Sequence, residues 1–161
     1  MKTGNYRMLV CATVFASLLC LVSFAWVLAQ SYFICSGSGE GCIVWCDALL
    51  PLQICVFTGR LLFKSAFYLL LIVFLVKQHV AIKNGSLFPG AKVGIMYATA
   101  ACFLIGETCY DNFSTALILE TPRCGAFVVN GDTLIYATML LAFALIYKVA
   151  VKVSEENNLT I

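Results

Sequence analysis

The sequence predicts an all-α membrane protein, a four-transmembrane-helix bundle with small disulfide-stapled outer loops. Three observations predict it. The 161 residues are 62% hydrophobic and only 11% charged, less than half the charged share of a soluble domain, and the mean hydropathy is +0.97. The apolar residues gather into four runs separated by polar turns. Six of the nine cysteines fall at or beyond the same ends of those runs. A soluble chain of this composition would expose large apolar patches, so a soluble globular enzyme, a disordered chain and a nucleic-acid-binding domain are excluded. The net charge of +2 is too small to draw a polyanion. The expected partners are the lipid bilayer and another membrane protein, with no nucleic acid.

The spans follow in order, at about 8–30, 56–77, 92–112 and 133–152. Between Arg7 and Glu40 there is no charge at all, more than the ~20 residues that cross a hydrocarbon core. The second run holds Arg60 and Lys64 in its outer part. The third offers 14 uncharged residues from Val93 to Gly106, too few to cross, so its helix must continue through Glu107 toward Asp111. The fourth needs Lys148 and Lys152 to complete its length, with lysine stems snorkelling to the head groups. Tyr136 and Tyr147 stand near its two ends, where an aromatic belt would place them. The whole of 1–161 reads as a single tetraspan membrane domain.

Orientation comes from the basic residues. Lys2, Arg7, Lys77, Lys83, Lys92, Lys148 and Lys152 share one side; Arg60, Lys64 and Arg123 share the other. That bias places both termini in the cytosol, in a secretory-pathway or plasma membrane. The alternative reads Lys2 and Arg7 as the start of a signal peptide cut after Val27-Leu28-Ala29. Its apolar stretch of over 20 residues is longer than the ~7–15 of a signal peptide, so an uncleaved helix is expected.

In the first outer loop, Ser36-Gly37-Ser38-Gly39-Glu40-Gly41 is a turn region, and Asp47 to Cys55 reads as an interfacial segment before the second span. Asn84-Gly85-Ser86 and Pro89-Gly90 make the inner loop a tight connector, which favours spans two and three as antiparallel neighbours. Cys11, Cys20 and Cys102 lie within spans and read as packing residues, with palmitoylation open to Cys11. Cys35, Cys42, Cys46, Cys55, Cys109 and Cys124 all fall outside, and an oxidising compartment would pair them. Cys109 with Cys124 is the favoured bridge of the second outer loop, and Cys55 with Cys35, Cys42 or Cys46 that of the first. A four-cysteine zinc site is the competing reading. No pair of CxxC spacings supports it and His79, the one histidine, is on the other side, so no metal is expected.

Arg60 and Lys64 are four residues apart and share a helix face; so do Glu107 and Asp111. Counted from Lys77, Lys64 stands 13 residues up and Arg60 17; counted from Lys92, Glu107 stands 15 up and Asp111 19. Each cross-helix pair differs in height by about 3 Å. Antiparallel neighbours would therefore form a ladder, Lys64 with Glu107 and Arg60 with Asp111. The alternative is four interfacial residues bathed in water and head groups; an unpaired charge at the helix centre costs ~2–3 kcal/mol, which favours pairing for Lys64 with Glu107, the deeper two. The ladder serves as structural glue or lines a polar cavity, and glue is favoured because nothing else polar converges there. Asn112-Phe113-Ser114 is a glycosylation sequon close to the membrane surface; Asn84-Gly85-Ser86 and Asn158-Leu159-Thr160 lie on the inner side and stay bare.

No nucleophile–base set, phosphate loop or metal motif appears, so no catalytic residue and no cofactor are expected. Thiol redox chemistry would rest on Cys42-x-x-x-Cys46, which lacks the reactive CxxC spacing. A carrier would bury polar residues at the midplane, where the fourth span has only Ala137, Thr138, Met139, Leu140 and Leu141. Ser17, Ser23 and Thr99 read as helix-packing residues, and Ala12-x-x-x-Ala16 as a small-xxx-small pattern. The Leu159-Thr160-Ile161 tail could add to a sheet edge of a peptide-binding module, a match that any short tail meets often.

The order is helix, cysteine-bearing loop, cysteine before helix two, short basic loop, helix three running into a cysteine, a further cysteine, helix four. The stretches that carry it are Gln53-Ile54-Cys55-Val56-Phe57, Ala101-Cys102-Phe103-Leu104-Ile105-Gly106 leading to Cys109, and Pro122-Arg123-Cys124. The chain thereby resembles the transmembrane protein 179 family of four-span proteins, loosely from Cys35 to Lys152. The resemblance implies that Cys55, Cys109 and Cys124 are the structurally important thiols; Cys42 and Cys46 are additional to its pattern. It implies no activity. The function expected is that of a non-enzymatic accessory or scaffold subunit. The alternatives are a channel or transporter subunit using the outer-mouth charges, or a membrane thiol oxidoreductase.

Overall fold

The computed structural model describes residues 3–36, 50–84, 92–117 and 129–158. Among them are four α-helices and no strand: α1 (Thr3–Ser36), α2 (Leu50–Lys83), α3 (Val93–Leu117) and α4 (Gly131–Asn158). All four are long and apolar enough to cross a membrane, over Arg7–Ser36, Leu50–Lys83, Val93–Asn112 and Gly131–Glu156. As expected, α3 reaches spanning length only by running through Glu107 and Asp111. Of the segment read as interfacial, the described part from Leu50 onward is helical and continuous with the second span. Pro51 does not interrupt it, because the first turn of a helix leaves its N–H groups without internal partners and a proline there loses nothing.

Burial is inverted relative to a soluble protein. Thr13, Ser31, Gln53, Arg60, Lys92, Thr99, Thr108, Asn112 and Thr133 are buried, while Phe15, Val22, Trp26, Phe143, Ile146 and many other large apolar residues are exposed. That arrangement is stable where the surroundings are hydrocarbon, since lipid accepts apolar side chains and polar ones must find partners inside. Within the helices, several hydroxyls bond back to the carbonyl one turn earlier: Ser17 to Thr13 at 2.8 Å, Ser31 to Val27 at 2.8 Å, Thr99 to Ile95 at 2.7 Å and Thr108 to Leu104 at 2.7 Å.

The helices pack in chain order: α1 on α2, α2 on α3, α3 on α4. Each neighbour is antiparallel to the last, and α4 also reaches α2 through Tyr147. We call the end holding both chain termini the terminal end, and the other the two-loop end. The α2–α3 seam is the closest. A methyl group on Gly59 of α2 would stand 3.0 Å from the Cys109 sulfur of α3, and one on Gly106 of α3 would meet the main chain of α2. Small residues let membrane helices approach in this way. Ala12 of the expected small-xxx-small pattern is exposed and plays no part in these seams. On α4, Thr133, Ala137, Ala144, Tyr147 and Val151 are buried, a stripe at helical spacing that faces the bundle.

Polar contacts tie the terminal end. Thr13 of α1 lies 3.3 Å from His79 Nδ1 of α2. Lys92, at the start of α3, donates to Gln78 Oε1 of α2 at 3.0 Å, and the Tyr147 hydroxyl of α4 reaches the same oxygen at 3.5 Å. Tyr147 also meets Phe74 edge-on, with centroids 5.7 Å apart. Tyr147 is thus 9% exposed and is an internal packing residue, not the belt residue its position suggests; Tyr136 is exposed.

Candidate functional site

The charged residues of α2 and α3 meet in the half of the seam nearer the two-loop end. Antiparallel packing, with Gly106 against Phe63 and Lys64, fixes the register and puts Lys64 opposite Glu107. The Lys64 ammonium lies 3.2 Å from Glu107 Oε1, with both side chains largely withdrawn from the surface. It also lies 4.0 Å from the centroid of the Tyr110 ring, and the Arg60 guanidinium carbon lies 4.6 Å from the same centroid. A cation over an aromatic face gains electrostatic attraction that desolvation strengthens.

Arg60 and Asp111 reach outward from this centre. Arg60, 3% exposed, donates to Gln30 Oε1 of α1 at 3.2 Å. Asp111 Oδ2 accepts the Thr133 hydroxyl of α4 at 3.2 Å. The four charges therefore do more than link α2 to α3: one arm holds α1 and the other holds α4. Gln30, Tyr110 and Thr133 were not singled out in the sequence. Gln30 carried a signal, being a polar residue in an otherwise apolar stretch; Tyr110 and Thr133 carried none.

Two clefts flank the centre. One, of about 400 Å³, is lined by Val22, Trp26 and Gln30 of α1 with Lys64, Tyr68 and Tyr110. The other, of about 580 Å³, lies between α3 and α4 with Phe67 of α2 in its wall; Glu107, Asp111 and Asp132 line it. Tyr110 belongs to both. The ion pair thus divides its charges: the ammonium lines the cleft on the α1 side and the carboxylate lines the one on the α4 side.

No protein-family model matches the chain, and no curated protein or solved structure is significantly similar to it. The site has to be read from its own chemistry.

Among the described residues no three His, Cys, Asp or Glu side chains are grouped to hold a metal ion. Cys11, Cys20, Cys35, Cys55, Cys102 and Cys109 are free thiols, so of the three partners expected for Cys55 the bond to Cys35 is not formed, and Cys42 and Cys46 lie outside the described residues. Cys35 on α1 and Cys55 on α2 are both turned outward. Cys42, Cys46 and Cys124, and with them the favoured Cys109–Cys124 bridge and the Cys42–Cys46 redox pair, lie outside the described residues. Cys109 is instead directed at α2, against Gly59, within electrostatic reach of Cys55. Asn112 is buried and its Nδ2, the atom a glycan would take, donates to the Thr108 carbonyl at 2.7 Å. The folded chain therefore withdraws the Asn112 side chain from the open surface.

At the other end of the seam, burial pulls the Lys92 ammonium down to about 8, helped by the positive charge of Lys77. Lys92 counted in the sequence only as one more basic residue near a membrane face. Its burial follows from Gln78, whose carbonyl oxygen draws it inward.

Proposed function

We propose that this chain is a non-enzymatic accessory or scaffold subunit that binds another integral membrane protein, with both termini cytosolic, in a secretory-pathway or plasma membrane. The observation that supports this reading is the packing in chain order. Among the described residues α1 packs chiefly on α2 and turns Phe15, Val22 and Trp26 outward. Helices in lipid associate through close packing and interhelical hydrogen bonds, and a helix packed chiefly on one neighbour has most of its surface left for a second protein. The Lys64–Glu107 pair fits a brace for that scaffold. The loose likeness to the transmembrane protein 179 family belongs to the same proposal.

The test places a photoreactive amino acid at Phe15 or Val22 on α1, and at Ile146 on α4 as the comparison, in native membranes. The scaffold reading expects one discrete protein adduct from the α1 positions and none from α4. Only lipid adducts at every position would sink it.

A transport or channel subunit is the second reading, favoured by the two charged clefts on either side of the pair. Replacing Lys64 and Glu107 together by leucine separates the two. A brace tolerates the neutral pair, so partner binding persists; a charge-lined path loses its conductance or flux.

A further inference from the structure

The cleft between α3 and α4 has an order of its own that the scaffold reading does not use. At the two-loop end its walls carry Asp111, Asp132 and the Asn130 amide; farther down α4 they are Met139, Leu140 and Phe143. The eleven residues from Asp132 to Phe143 amount to about 16 Å of depth. Its volume of about 580 Å³ falls within the ~300–1,000 Å³ of small-molecule sites. Polar at the interface and apolar toward the midplane is how an amphiphile lies in one leaflet.

Charge selects among amphiphiles. Glu107 is matched by Lys64, which lines the opposite cleft. Asp111 and Asp132 are further carboxylates on this side, and among the described residues no basic side chain lines the cleft. Tyr110, Tyr136 and Phe103 stand in the same walls. Aromatic faces beside carboxylates attract ammonium and quaternary ammonium groups, and the carboxylates repel an anionic head. We propose that this cleft binds a membrane amphiphile with a single cationic headgroup, the head held at Asp111 and Asp132 and the chain running down between α3 and α4. The proposal goes beyond the scaffold reading and does not depend on it.

The test uses the full chain in phosphatidylcholine nanodiscs, with four photoactivatable probes of one chain length: a primary amine, a trimethylammonium, an alcohol and a carboxylic acid. Mass spectrometry locates the adducts. Both cationic probes should label α3 and α4 peptides about fivefold or more above the alcohol and the acid, and their ratio tells a free amine from a choline-type head as the natural source. The double variant Asp111→Asn/Asp132→Asn should bring cationic labelling down to the alcohol level. Leu140→Trp, which occupies the apolar part and leaves every charge in place, should reduce labelling by all four probes; it keeps the test decisive if the aspartate variant fails to fold. Equal labelling by the alcohol and the acid, labelling that survives both variants, or adducts elsewhere would each overturn the proposal. So would a protein adduct in native membranes from a photoreactive residue at Tyr136.

Discussion

Gly106 holds α3 against the main chain of α2 at Lys64: a methyl group on Gly106 would stand 3.1 Å from the Lys64 nitrogen and 3.3 Å from the Phe63 carbonyl carbon. Backbone atoms in a helix cannot swing aside as a flexible side chain can. The position therefore sets how closely the two helices approach, and the Lys64–Glu107 pair is built on that approach.

Replacing a helix glycine by alanine ordinarily gains about 1 kcal/mol. At Gly106 the sign reverses. Gly106→Ala should destabilise the chain, and Gly106→Val more so, by ~1–3 kcal/mol. Gly94→Ala, where nothing lies within 4 Å, should be neutral or stabilising. Thermal unfolding of the three variants in nanodiscs checks the order; equal behaviour at Gly94 and Gly106 would contradict it.

The charge pair makes the second prediction. Lys64→Leu alone or Glu107→Leu alone leaves the other charge without its partner, and each should cost ~2–5 kcal/mol. The double substitution should cost less than either single one, because two apolar residues leave no charge without its partner. A double-mutant cycle on stability reads the coupling. Simple additivity would mean that lipid head groups or water already serve both charges.

Lys92 supplies a pH dependence. Its ammonium sits at about 8 in the folded chain against ~10.4 for a free lysine. The folded state therefore holds fewer protons than the unfolded state between those values, and stability rises with pH across that window. The penalty of burying the charge is present in full below about 8 and is relieved by about pH 10.4. Stability measured in nanodiscs from neutral to alkaline pH should show this rise, and Lys92→Met should flatten it. A fall in stability over that range, common to wild type and variant, would show that another group governs.

The thiols give the fourth. Cys109 faces α2 beside Gly59, and Cys55 is one helical turn farther out on the same helix as Gly59. Mild oxidation of the folded chain in membranes should link Cys55 to Cys109 ahead of Cys35 or Cys102. Peptide mapping without reduction decides it; a Cys109–Cys124 link as the main product would restore the bridge that loop position favours.

The spans were legible because length and hydropathy alone decide what crosses a bilayer. The Lys64–Glu107 pair was legible too, since four-residue spacing and equal height leave few ways for two antiparallel helices to place those charges. Which helix touches which was not. In lipid the outside of a helix is as apolar as its buried side, so hydrophobicity carries no direction. For the same reason Gly59 and Gly106 gave no signal: their importance lies in the neighbour's backbone. Arg60 donates to Gln30, a partner that becomes visible only when α1 is docked. Lys92 and Tyr147 were read from their height in the membrane, but both turn inward to Gln78.

The helices also differ in length, and the difference has a consequence for how they can sit together in one bilayer. α1 and α2 have 34 residues each, about 51 Å. α3 has 25, about 38 Å. A helix longer than the hydrocarbon core is accommodated by tilting. Packed together in one bilayer, α1 and α2 therefore have about 13 Å more to take up than α3, by leaning further from the membrane normal or by standing clear of the core at their ends.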